Sequence, residues 1–478
     1  CDLQEEPYGF YSDDNFYKSE TDAESGLLYA YNALTFLEYS RGIFYIGDIP
    51  TETMSPKSDE AGDVYQLENW IANRETEQLQ YYFKYCYIAI NRANTVIDHI
   101  QNSSVLSETA RRRILGEAYF LRAWNYFNLV RTFGIVPVQT KMVAELSQTT
   151  PPMATGLDQL YDLILGDLTR ADNLLEVNKV FGRADKVAAQ SLMAKAYLTI
   201  ASSKEHNVHR YTEMRREPRI MYDSAAYWAG KVVRDYKNVY DFDTNLRDIY
   251  DVDKPTGPEH IFIMPIDRSG TQEGNYSKLP LLFLPSNNSV PFYIRYGNGD
   301  LQRANGNGWG VFLCNDEFVE TQFSTTDKRR TELIHRDIYD ASGNPIVPNQ
   351  VKGYFSSKYV DPDFIGERTS ARPYLIRFSD IALVYAEAAG PEAGLAYVNR
   401  IRERAGVTPL PSGMTTDKFR EAVIKERALE LAFEGNRLYD LRRTASVTTT
   451  DIKAAGLSEA EAAYYPIPQR EIDLNPNL

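Results

Sequence analysis

The sequence predicts a mainly α-helical protein that carries one large insertion of loops and short strands. Apolar residues recur every three to four positions over long stretches at both ends of the chain, which is typical of amphipathic helices. Between about residues 237 and 372, by contrast, Gly, Pro and Asn are frequent and this period is lost. The composition, 43% hydrophobic and 25% charged, is that of a chain able to bury a substantial core.

The helices can be placed approximately from their apolar period and their end signals. Ser107 with Glu108 marks one beginning, and Gly134 with Pro137 marks the end of the same helix. The stretch 41–73 contains several Gly and Pro residues and is predicted to be a long loop. The helices are expected at about 21–40, 75–101, 107–133, 156–176, 185–203, 221–235, 373–388, 392–405 and 415–443.

The same reasoning divides the chain into three parts. Residues 1–20 are predicted to be a polar tether, 21–236 and 373–478 a helical scaffold, and 237–372 a loop-rich insertion that forms the ligand-binding region. Inside the insertion, short strands are expected near 261–266 and 293–296, with a short helix near 316–323.

A weak internal repeat suggests that the scaffold helices pair. Four pairs in which an apolar residue is followed four positions later by Tyr predict tetratricopeptide-like helical pairs. The copies are much further apart than the usual period of about 34 residues, so the repeats are degenerate and interrupted. The four pairs are Leu27 and Tyr31, Leu115 and Tyr119, Met193 and Tyr197, and Ile381 and Tyr385.

Charge and cysteine content exclude several classes of function. The chain has 52 Lys and Arg against 66 Asp and Glu, a net charge of −14, which argues against binding to nucleic acid. No apolar run reaches the length of about 18 residues that a membrane helix needs. The chain has three cysteines, which is a small and odd number, and this argues against a disulfide framework. We expect no cofactor and no resident metal.

Cys1 is the first residue, and this predicts a processed chain. Bacterial lipoproteins mature to a lipid-modified N-terminal Cys, so Cys1 is the expected lipidation site. Stable attachment to a bilayer needs two or more acyl chains. The alternative is a chain boundary that falls at this residue by coincidence.

The most specific motifs lie in the last third of the chain. In order they are RPYLIR (372–377), LVYAEA (383–388), NRIRERAG (399–406), ERALELAFEGNRLYDLRR (426–443) and PIPQREIDLNPN (466–477). Shorter motifs precede them: NRAN (91–94), FLRA (120–123), GIVP (134–137) and GRA (182–184). Together these motifs resemble the SusD/RagB family of nutrient-binding outer-membrane lipoproteins of Bacteroidetes.

This resemblance implies a fold, a location, a partner and a ligand. The implied fold is four tetratricopeptide-like helix pairs with a loop-rich ligand region. The implied location is the outer membrane, facing the cell exterior, and the implied partner is a SusC-type TonB-dependent transporter over which the protein acts as a lid. Family ligands are usually oligosaccharides, and some members handle peptides or other nutrients.

The acidic residues of the last long helix have a structural and a chemical interpretation. Glu426, Glu430 and Glu434 share one helix face and need cations nearby. We expect an ion-pair network with Arg427, Arg437, Arg442 and Arg443, joined by Arg377 or Arg400 from a packed helix. The alternative, acid–base catalysis, needs two acids with separated pKa values facing a cleft.

Two other patterns are weaker. His206 and His209 could share a metal only on a helix, and they lie in what reads as a polar loop. The stretch 306–310, Gly-Asn-Gly-Trp-Gly, lacks the Lys-Ser/Thr of a phosphate loop and is predicted to be a turn.

Aromatic residues in the two long loops are the predicted ligand contacts. A sugar ring has an apolar C–H face that stacks on an aromatic ring, while its hydroxyl groups need polar side chains at the rim. The candidates form two groups. The first predicted group, in the first loop, is Tyr65, Asn69, Trp70 and Arg74, and the second predicted group, in the insertion, is Phe292, Tyr293, Arg295, Tyr296 and Trp309.

The leading hypothesis is therefore a non-catalytic surface lipoprotein that binds oligosaccharides and delivers them to the transporter. A second hypothesis is an interaction scaffold or lid for the transporter, with a peptide or other nutrient as ligand or with no ligand of its own. A third, a hydrolase, finds no recognisable catalytic arrangement in the sequence.

Overall fold

The computed structural model describes residues 16–60, 62–269, 277–346, 353–364 and 368–478. Helices dominate both ends of the chain, and the strands are short, so the predicted mainly α-helical class is confirmed. Cys1 lies outside the described residues, as does most of the predicted tether.

The N-terminal part of the chain is helical up to Asp235. Ser19 begins the first helix with a capping box, in which its side chain accepts a hydrogen bond from the backbone N–H of Asp22. Ser107 and Asp185 cap two later helices in the same way. The helices are α1 (Glu20–Thr35), α2 (Leu37–Gly47), α3 (Asp63–Glu68), α4 (Glu77–Ile100), α5 (Glu108–Phe133), α6 (Leu157–Leu174), α7 (Lys186–Glu205) and α8 (Pro218–Asp235).

The region after α8 contains short helices and most of the strands. Its helices are α9 (Leu246–Ile249), α10 (Leu279–Phe283), α11 (Asp316–Gln322) and α12 (Lys328–Leu333). The strands are β1 (Met54–Pro56) in the N-terminal part, then β2 (His260–Ile263), β3 (Phe292–Arg295), β4 (Leu301–Ala304), β5 (Phe312–Cys314), β6 (Ile334–His335), β7 (Ile338–Tyr339), β8 (Pro345–Ile346), β9 (Phe355–Ser356) and β10 (Tyr374–Arg377).

The strands pair into small sheets. One sheet has the order β4-β3-β7-β8, and three two-stranded pairs join β1 to β5, β2 to β10 and β6 to β9. Every described pairing is antiparallel. A second, smaller hydrophobic cluster lies under the four-stranded sheet and includes Phe292, Ile294 and Tyr296.

Helices return after β10. They are α13 (Phe378–Ala389), α14 (Pro391–Arg404), α15 (Thr416–Glu430), α16 (Arg437–Arg443), α17 (Val447–Thr450), α18 (Glu459–Ala463) and α19 (Gln469–Leu474). The long helices pack one after another, with α4 against α5, α5 against α6, α6 against α7, α7 against α8 and α8 against α13. This serial packing is what stacked helical pairs produce, and the tetratricopeptide assignment stays a prediction.

Several boundaries differ from the prediction. The predicted helix 21–40 ends at Thr35, and α2 begins at Leu37. The stretch 41–73 is not one loop, because most of α2 and all of β1 and α3 lie within it. The predicted helix 373–388 starts as strand β10, which pairs with β2. The predicted helix 415–443 is interrupted after Glu430, since Phe433 and Gly435 both have positive φ, at 65° and 76°.

A buried ion-pair network holds α15 against the rest of the molecule, but of the predicted cations only Arg377 belongs to it. Four others contact different partners: Arg427 pairs with Asp380 and Asp440, Arg437 with Glu52, and Arg443 with Glu387 and Asp440, while Arg442 donates to the carbonyls of Arg131 and Thr132. Arg377 is 1% exposed and its guanidinium contacts Glu430, Glu434 and Glu259, each at 2.8 Å. Arg329 reaches Glu426 at 2.6 Å.

Other cations reach the same carboxylates, since Arg402 lies 2.6 Å from Glu426 and Arg404 lies 2.7 Å from Glu430. Lys358, from the segment after β9, contacts Glu434 at 2.6 Å. Arg400, the alternative to Arg377 in our prediction, instead pairs with Asp241 at 3.0 Å. The network therefore serves structure, because each of the three stacked carboxylates has a cationic partner within ion-pair distance.

Candidate ligand-binding site

A three-residue ribbon brings the first loop beside the insertion. Strand β1 pairs with β5 so that Met54 lies opposite Cys314 and Pro56 opposite Phe312. Beyond the ribbon, the backbone N–H of Lys57 donates to the carbonyl of Val311 at 3.0 Å. Two segments far apart in sequence therefore meet at one surface.

Trp309 is fixed at this surface by its glycine neighbours. A Cβ atom at Gly308 would stand 2.0 Å from the carbonyl oxygen of Leu284, so only glycine allows the backbones to approach this closely. The backbone N–H of Trp309 donates to the carbonyl of Leu281 at 2.6 Å, while the residue is 44% exposed. The predicted turn at 306–310 thus presents one indole ring on a rigid support.

A cavity of about 540 Å³ opens beside Trp309. Lys57 and Asp59 form an ion pair of 3.1 Å at its wall. The remaining lining residues are Glu60, Pro285, Ser286, Gly308, Gly310, Val311 and Leu313. The cavity thus combines one flat apolar ring with polar and charged groups.

The neighbouring helix α3 holds part of the first predicted group. Tyr65 is 51% exposed, and α3 begins only three residues after Glu60. Asn69 donates through its side-chain amide to the carbonyl of Tyr65 at 2.9 Å, which ends the helix. Arg74 is exposed, and its carbonyl accepts from the N–H of Gln469 at 3.0 Å.

Trp70 is largely buried, whereas a ligand contact needs an exposed ring. Its side chain is 7% exposed, and its indole N–H donates to Asp451 at 3.2 Å. The ring lies nearly parallel to that of Tyr465, with centroids 6.2 Å apart. In this conformation Trp70 pins the first loop to the C-terminal region and leaves little surface for a ligand.

Side chains alternate between the two faces of strand β3, so the residues of the second predicted group on this strand differ in burial. Phe292 points into the small hydrophobic cluster and is fully buried, so its ring cannot contact a ligand in this conformation. Tyr293 is half-buried and lies opposite Arg303 and Tyr339. Arg295 is exposed, and its guanidinium stacks 4.2 Å from the Tyr339 ring centroid.

Tyr296 lies at another cavity, of about 480 Å³. It is 6% exposed, and burial raises the pKa of its hydroxyl to about 12. Arg247 stacks over the ring at 4.4 Å, and Gln302 accepts a hydrogen bond from the hydroxyl. Only Trp309, of the predicted residues, lines the cavity beside the β1–β5 ribbon.

Sequence reasoning missed the polar residues of that cavity. Lys57, Asp59 and Ser286 stand in no motif, and nothing in their neighbourhood distinguishes them from other loop residues. Pro56 is the last residue of strand β1, but a strand of three residues is too short to be recognised from the sequence. The residues become part of the cavity only because β1 pairs with β5.

The described residues give no arrangement typical of a metal centre. No group of three or more His, Cys, Asp and Glu side chains in this part of the chain is placed to hold an ion. His206 caps the end of α7, where Nδ1 lies 2.8 Å from the carbonyl of Ser202, and His209 packs near Tyr464. No described helix has the length and apolar content of a membrane span.

Comparison with known proteins gives two family matches. Residues 333–478 match the model of the SusD family, and residues 18–198 match a related model described as "Starch-binding associating with outer membrane". The two matches cover separate parts of the chain and agree with each other. These matches confirm the resemblance of the chain to the SusD/RagB family that its motifs indicate.

Relatives and solved structures extend along the whole length. SusD-like protein P38 of Formosa agariphila is 26% identical and aligns over 100% of this chain and 94% of its own. The crystal structure of a SusD homolog from Bacteroides thetaiotaomicron has a TM-score of 0.78 at 20% identity, over 98% of both chains. A laminarin-binding SusD-like protein has a TM-score of 0.75 at 23% identity, over 96% of this chain and 98% of that one. These structures share the fold.

Proposed function

We propose that this protein is a non-catalytic surface lipoprotein that binds oligosaccharides and passes them to a SusC-type TonB-dependent transporter of the outer membrane. Similarity to the SusD/RagB family supports this role. So do a structural neighbour that binds laminarin and a family description that names starch.

The observation that carries the proposal is the Trp309 ring above its polar-lined cavity. The ring is half-exposed and held by backbone contacts, so stacking on a sugar costs little ordering of the protein. Each such stacking contact contributes on the order of 1 kcal/mol. Tyr65 and the Lys57–Asp59 pair are the proposed additional contacts at the rim.

The cavity supports binding rather than catalysis. The Asp59 carboxylate lies 3.1 Å from the Lys57 ammonium, a pairing that suits hydrogen bonds to hydroxyl groups. Glycoside hydrolysis needs two carboxyl groups with different protonation states on either side of the bond. Asp59 and Glu60, the carboxylic acids of this lining, are adjacent in the chain, and Asp59 is paired with Lys57. We therefore propose no reaction at this site.

Replacement of Trp309 tests the ligand and the site together. Trp309→Ala should weaken binding to laminarin or starch about tenfold, because it removes the flat apolar face. Affinity electrophoresis against a polysaccharide panel, followed by isothermal titration, measures the change.

Trp228→Ala is the matched control, since Trp228 lies partly exposed on α8 and outside the cavity. An equal loss in both variants, or no binding of the unchanged protein to any glycan or peptide, would count against the proposal. If cells that carry the Trp309→Ala variant still grow on every oligomeric nutrient, the result would favour the scaffold hypothesis.

Location and partner need separate tests. We propose that a lipid on Cys1 anchors the protein and that the transporter lies beneath it. Cys1→Ser should move the protein from the membrane fraction to the soluble fraction, and purification of the lipidated chain should retain a β-barrel partner. Retention of the variant in the membrane would contradict the anchor.

A further inference from the structure

The helical scaffold has a cavity of its own, with a volume of about 750 Å³. Its walls come mainly from α1, from α4, from the segment 137–151 and from α19. The lining residues of α4 run from Phe83 to Thr95, so this wall is about 18 Å long at about 1.5 Å per residue. None of the nine side chains predicted as ligand contacts is among the described lining residues. The cavity is therefore separate from those at Trp309 and Tyr296, and it is long enough for an extended ligand.

Arg92 of α4 is a half-buried cation that lines this cavity without an acidic partner. Its guanidinium carbon lies 3.6 Å from the centre of the Tyr29 ring, and no carboxylate of the described residues lies within ion-pair distance. Burial lowers the pKa of Arg92, although Tyr29 acts to raise it. Arg183, which is also half-buried, instead contacts Glu24 at 2.7 Å and Glu117 at 2.6 Å. Arg92 therefore calls for a negative charge that the scaffold does not supply.

The free edge of Arg92 can be reached from the cavity. Nη1 is the donor in the two hydrogen bonds that the Arg92 side chain makes to described residues, so Nε and Nη2 remain without an acceptor there. Neither nitrogen is among the unpartnered polar atoms that are shielded from solvent. Nε and Nη2 form one edge of the guanidinium, which can donate to both oxygens of one carboxylate. This arrangement points to a ligand that carries a carboxylate.

Two amide side chains add an open donor and an open acceptor to the same lining. Asn91 Oδ1 accepts from the N–H of Val143 at 3.2 Å, which leaves Nδ2 without an acceptor among the described residues. Gln139 Nε2 donates to the carbonyl of Lys141 at 2.7 Å, which leaves Oε1 without a donor there. Neither free atom is shielded from solvent. A sugar hydroxyl can pair with either group, because it both donates and accepts.

Aromatic rings line the cavity beside these polar groups. Tyr29 is 58% exposed, and Tyr87 is half-buried and fixed by a hydrogen bond from its hydroxyl to the carbonyl of Pro137 at 2.7 Å. Such rings offer apolar surface to the C–H faces of sugars.

The charge of the lining also favours an anion. Lys84 is exposed and lies about two helical turns before Arg92 on the same wall. Glu471 is the only acidic side chain of the described lining, and burial raises its pKa although Arg470 and Lys84 act to lower it. This lining therefore carries two cations against one acid, in a chain whose net charge is −14.

We propose that this cavity is a second ligand site, specific for an oligosaccharide that carries carboxylate groups, such as an oligomer of a uronic acid. One sugar carboxylate binds the Nε–Nη2 edge of Arg92, while Asn91 and Gln139 pair with hydroxyl groups of the same chain of sugars. A neutral glycan leaves Arg92 without a counter-charge. The site uses no residue of the Trp309 cavity, so it goes beyond the function proposed above.

The test compares two ligands that differ only in charge. Isothermal titration uses trigalacturonic acid and its trimethyl ester, which keeps the sugars and removes the carboxylate charges. We expect millimolar or tighter binding of the acid and about tenfold weaker binding of the ester, because charged hydrogen bonds are stronger than neutral ones. Added salt should weaken binding of the acid. Binding of the acid should persist in Trp309→Ala protein.

Two variants assign that binding to the cavity. Arg92→Gln removes the cation and should weaken binding of trigalacturonic acid about tenfold. Asn91→Asp is nearly isosteric and keeps the acceptor for the Val143 N–H, but it places a negative charge beside Arg92 and should also weaken binding. Arg219→Gln is the matched control, because Arg219 is exposed on α8 and does not line the cavity. Circular dichroism and thermal unfolding confirm that each variant is folded.

Several results would overturn the proposal. They are the absence of binding by the acid, equal binding of the ester, full affinity in both cavity variants, and loss of the binding in Trp309→Ala protein. Equal affinity for tetraglutamate would show that the cavity selects charge without selecting sugar, and would overturn the assignment to an oligosaccharide. Failure of the unchanged protein to bind neutral polysaccharides bears on the Trp309 site alone.

Discussion

Asp48 is a buried carboxylate whose charge opposes folding at neutral pH. The side chain has no solvent exposure, and one oxygen accepts from the Gly435 N–H at 2.7 Å while the other has no hydrogen-bond partner among the described residues. Burial raises the pKa of Asp48 to about 7, although the Gly435 N–H and Lys358 act to lower it and Glu434 adds to the rise.

The sign of the resulting pH dependence follows from proton binding. Between the unfolded pKa of about 3.9 and the folded pKa, the native state binds more protons than the unfolded chain. Stability from this group therefore falls as pH rises through that window and is lowest above pH 7. Asp48→Asn keeps an acceptor for Gly435 without the charge, and it should stabilise the protein more at pH 8 than at pH 5.

Urea unfolding at the two pH values measures this difference in free energy. Asp223→Asn is the control, because Asp223 is exposed and should give no such difference. An equal effect of Asp48→Asn at both pH values would show that its carboxyl is already ionised at pH 5.

At the scale of single residues, the sequence could not separate buried from exposed aromatics. Trp70 and Trp309 both stand in polar loop sequence, yet one is 7% and the other 44% exposed. The difference arises from contacts with Asp451 and Tyr465, hundreds of residues from Trp70. The sequence around Trp70 does not indicate which distant residues contact it. Ligand binding by Trp70 and Trp309 stays a prediction.

Helix α2 shows how an element is missed. Its two glycines suggest breaks when the sequence is read alone, but they are places of close packing. A Cβ atom at Gly42 would stand 3.1 Å from the Tyr82 ring, and one at Gly47 would stand 2.3 Å from the carbonyl oxygen of Gly435. The apolar period predicted the long helices well because burial sets that period. Here tertiary packing overrides local propensity.

Gly47→Ala tests this account of α2. The added methyl meets backbone rather than a flexible side chain, so α2 or the turn before α16 must shift, at a cost of about 1–3 kcal/mol. Thermal unfolding should show a clear loss of stability. Gly456→Ala is the control, since nothing lies within 4 Å of the point that a Cβ atom at Gly456 would occupy. A similar effect in both would contradict the close-packing explanation.

The whole molecule is joined by the network around Arg377. It connects Glu259, which precedes β2, to Glu430 of α15 and Glu434 beyond it. Burial raises the pKa of Glu430, but Arg404, Arg377 and Arg329 outweigh it and lower the pKa to about 2. The contribution of Glu430 is therefore present above its unfolded pKa of about 4.3 and is lost as pH falls towards 2.

Arg377→Met should destabilise the fold by about 3–5 kcal/mol at pH 7, because it leaves buried carboxylates with fewer cations. Chemical denaturation measures the loss. Arg336→Ala provides the comparison: Arg336 is 53% exposed and its ion pairs should contribute less than about 1 kcal/mol. Similar losses in the two variants would mean that the buried network has no special role.

The β1–β5 ribbon also constrains how this protein could acquire a new ligand. Because the β1–β5 pairing brings Lys57 to the cavity beside Trp309, a transplanted Trp309 loop would arrive without the partner segment that completes this cavity. Re-engineering of preference therefore calls for both segments to be grafted together from one donor, with the strands that register them.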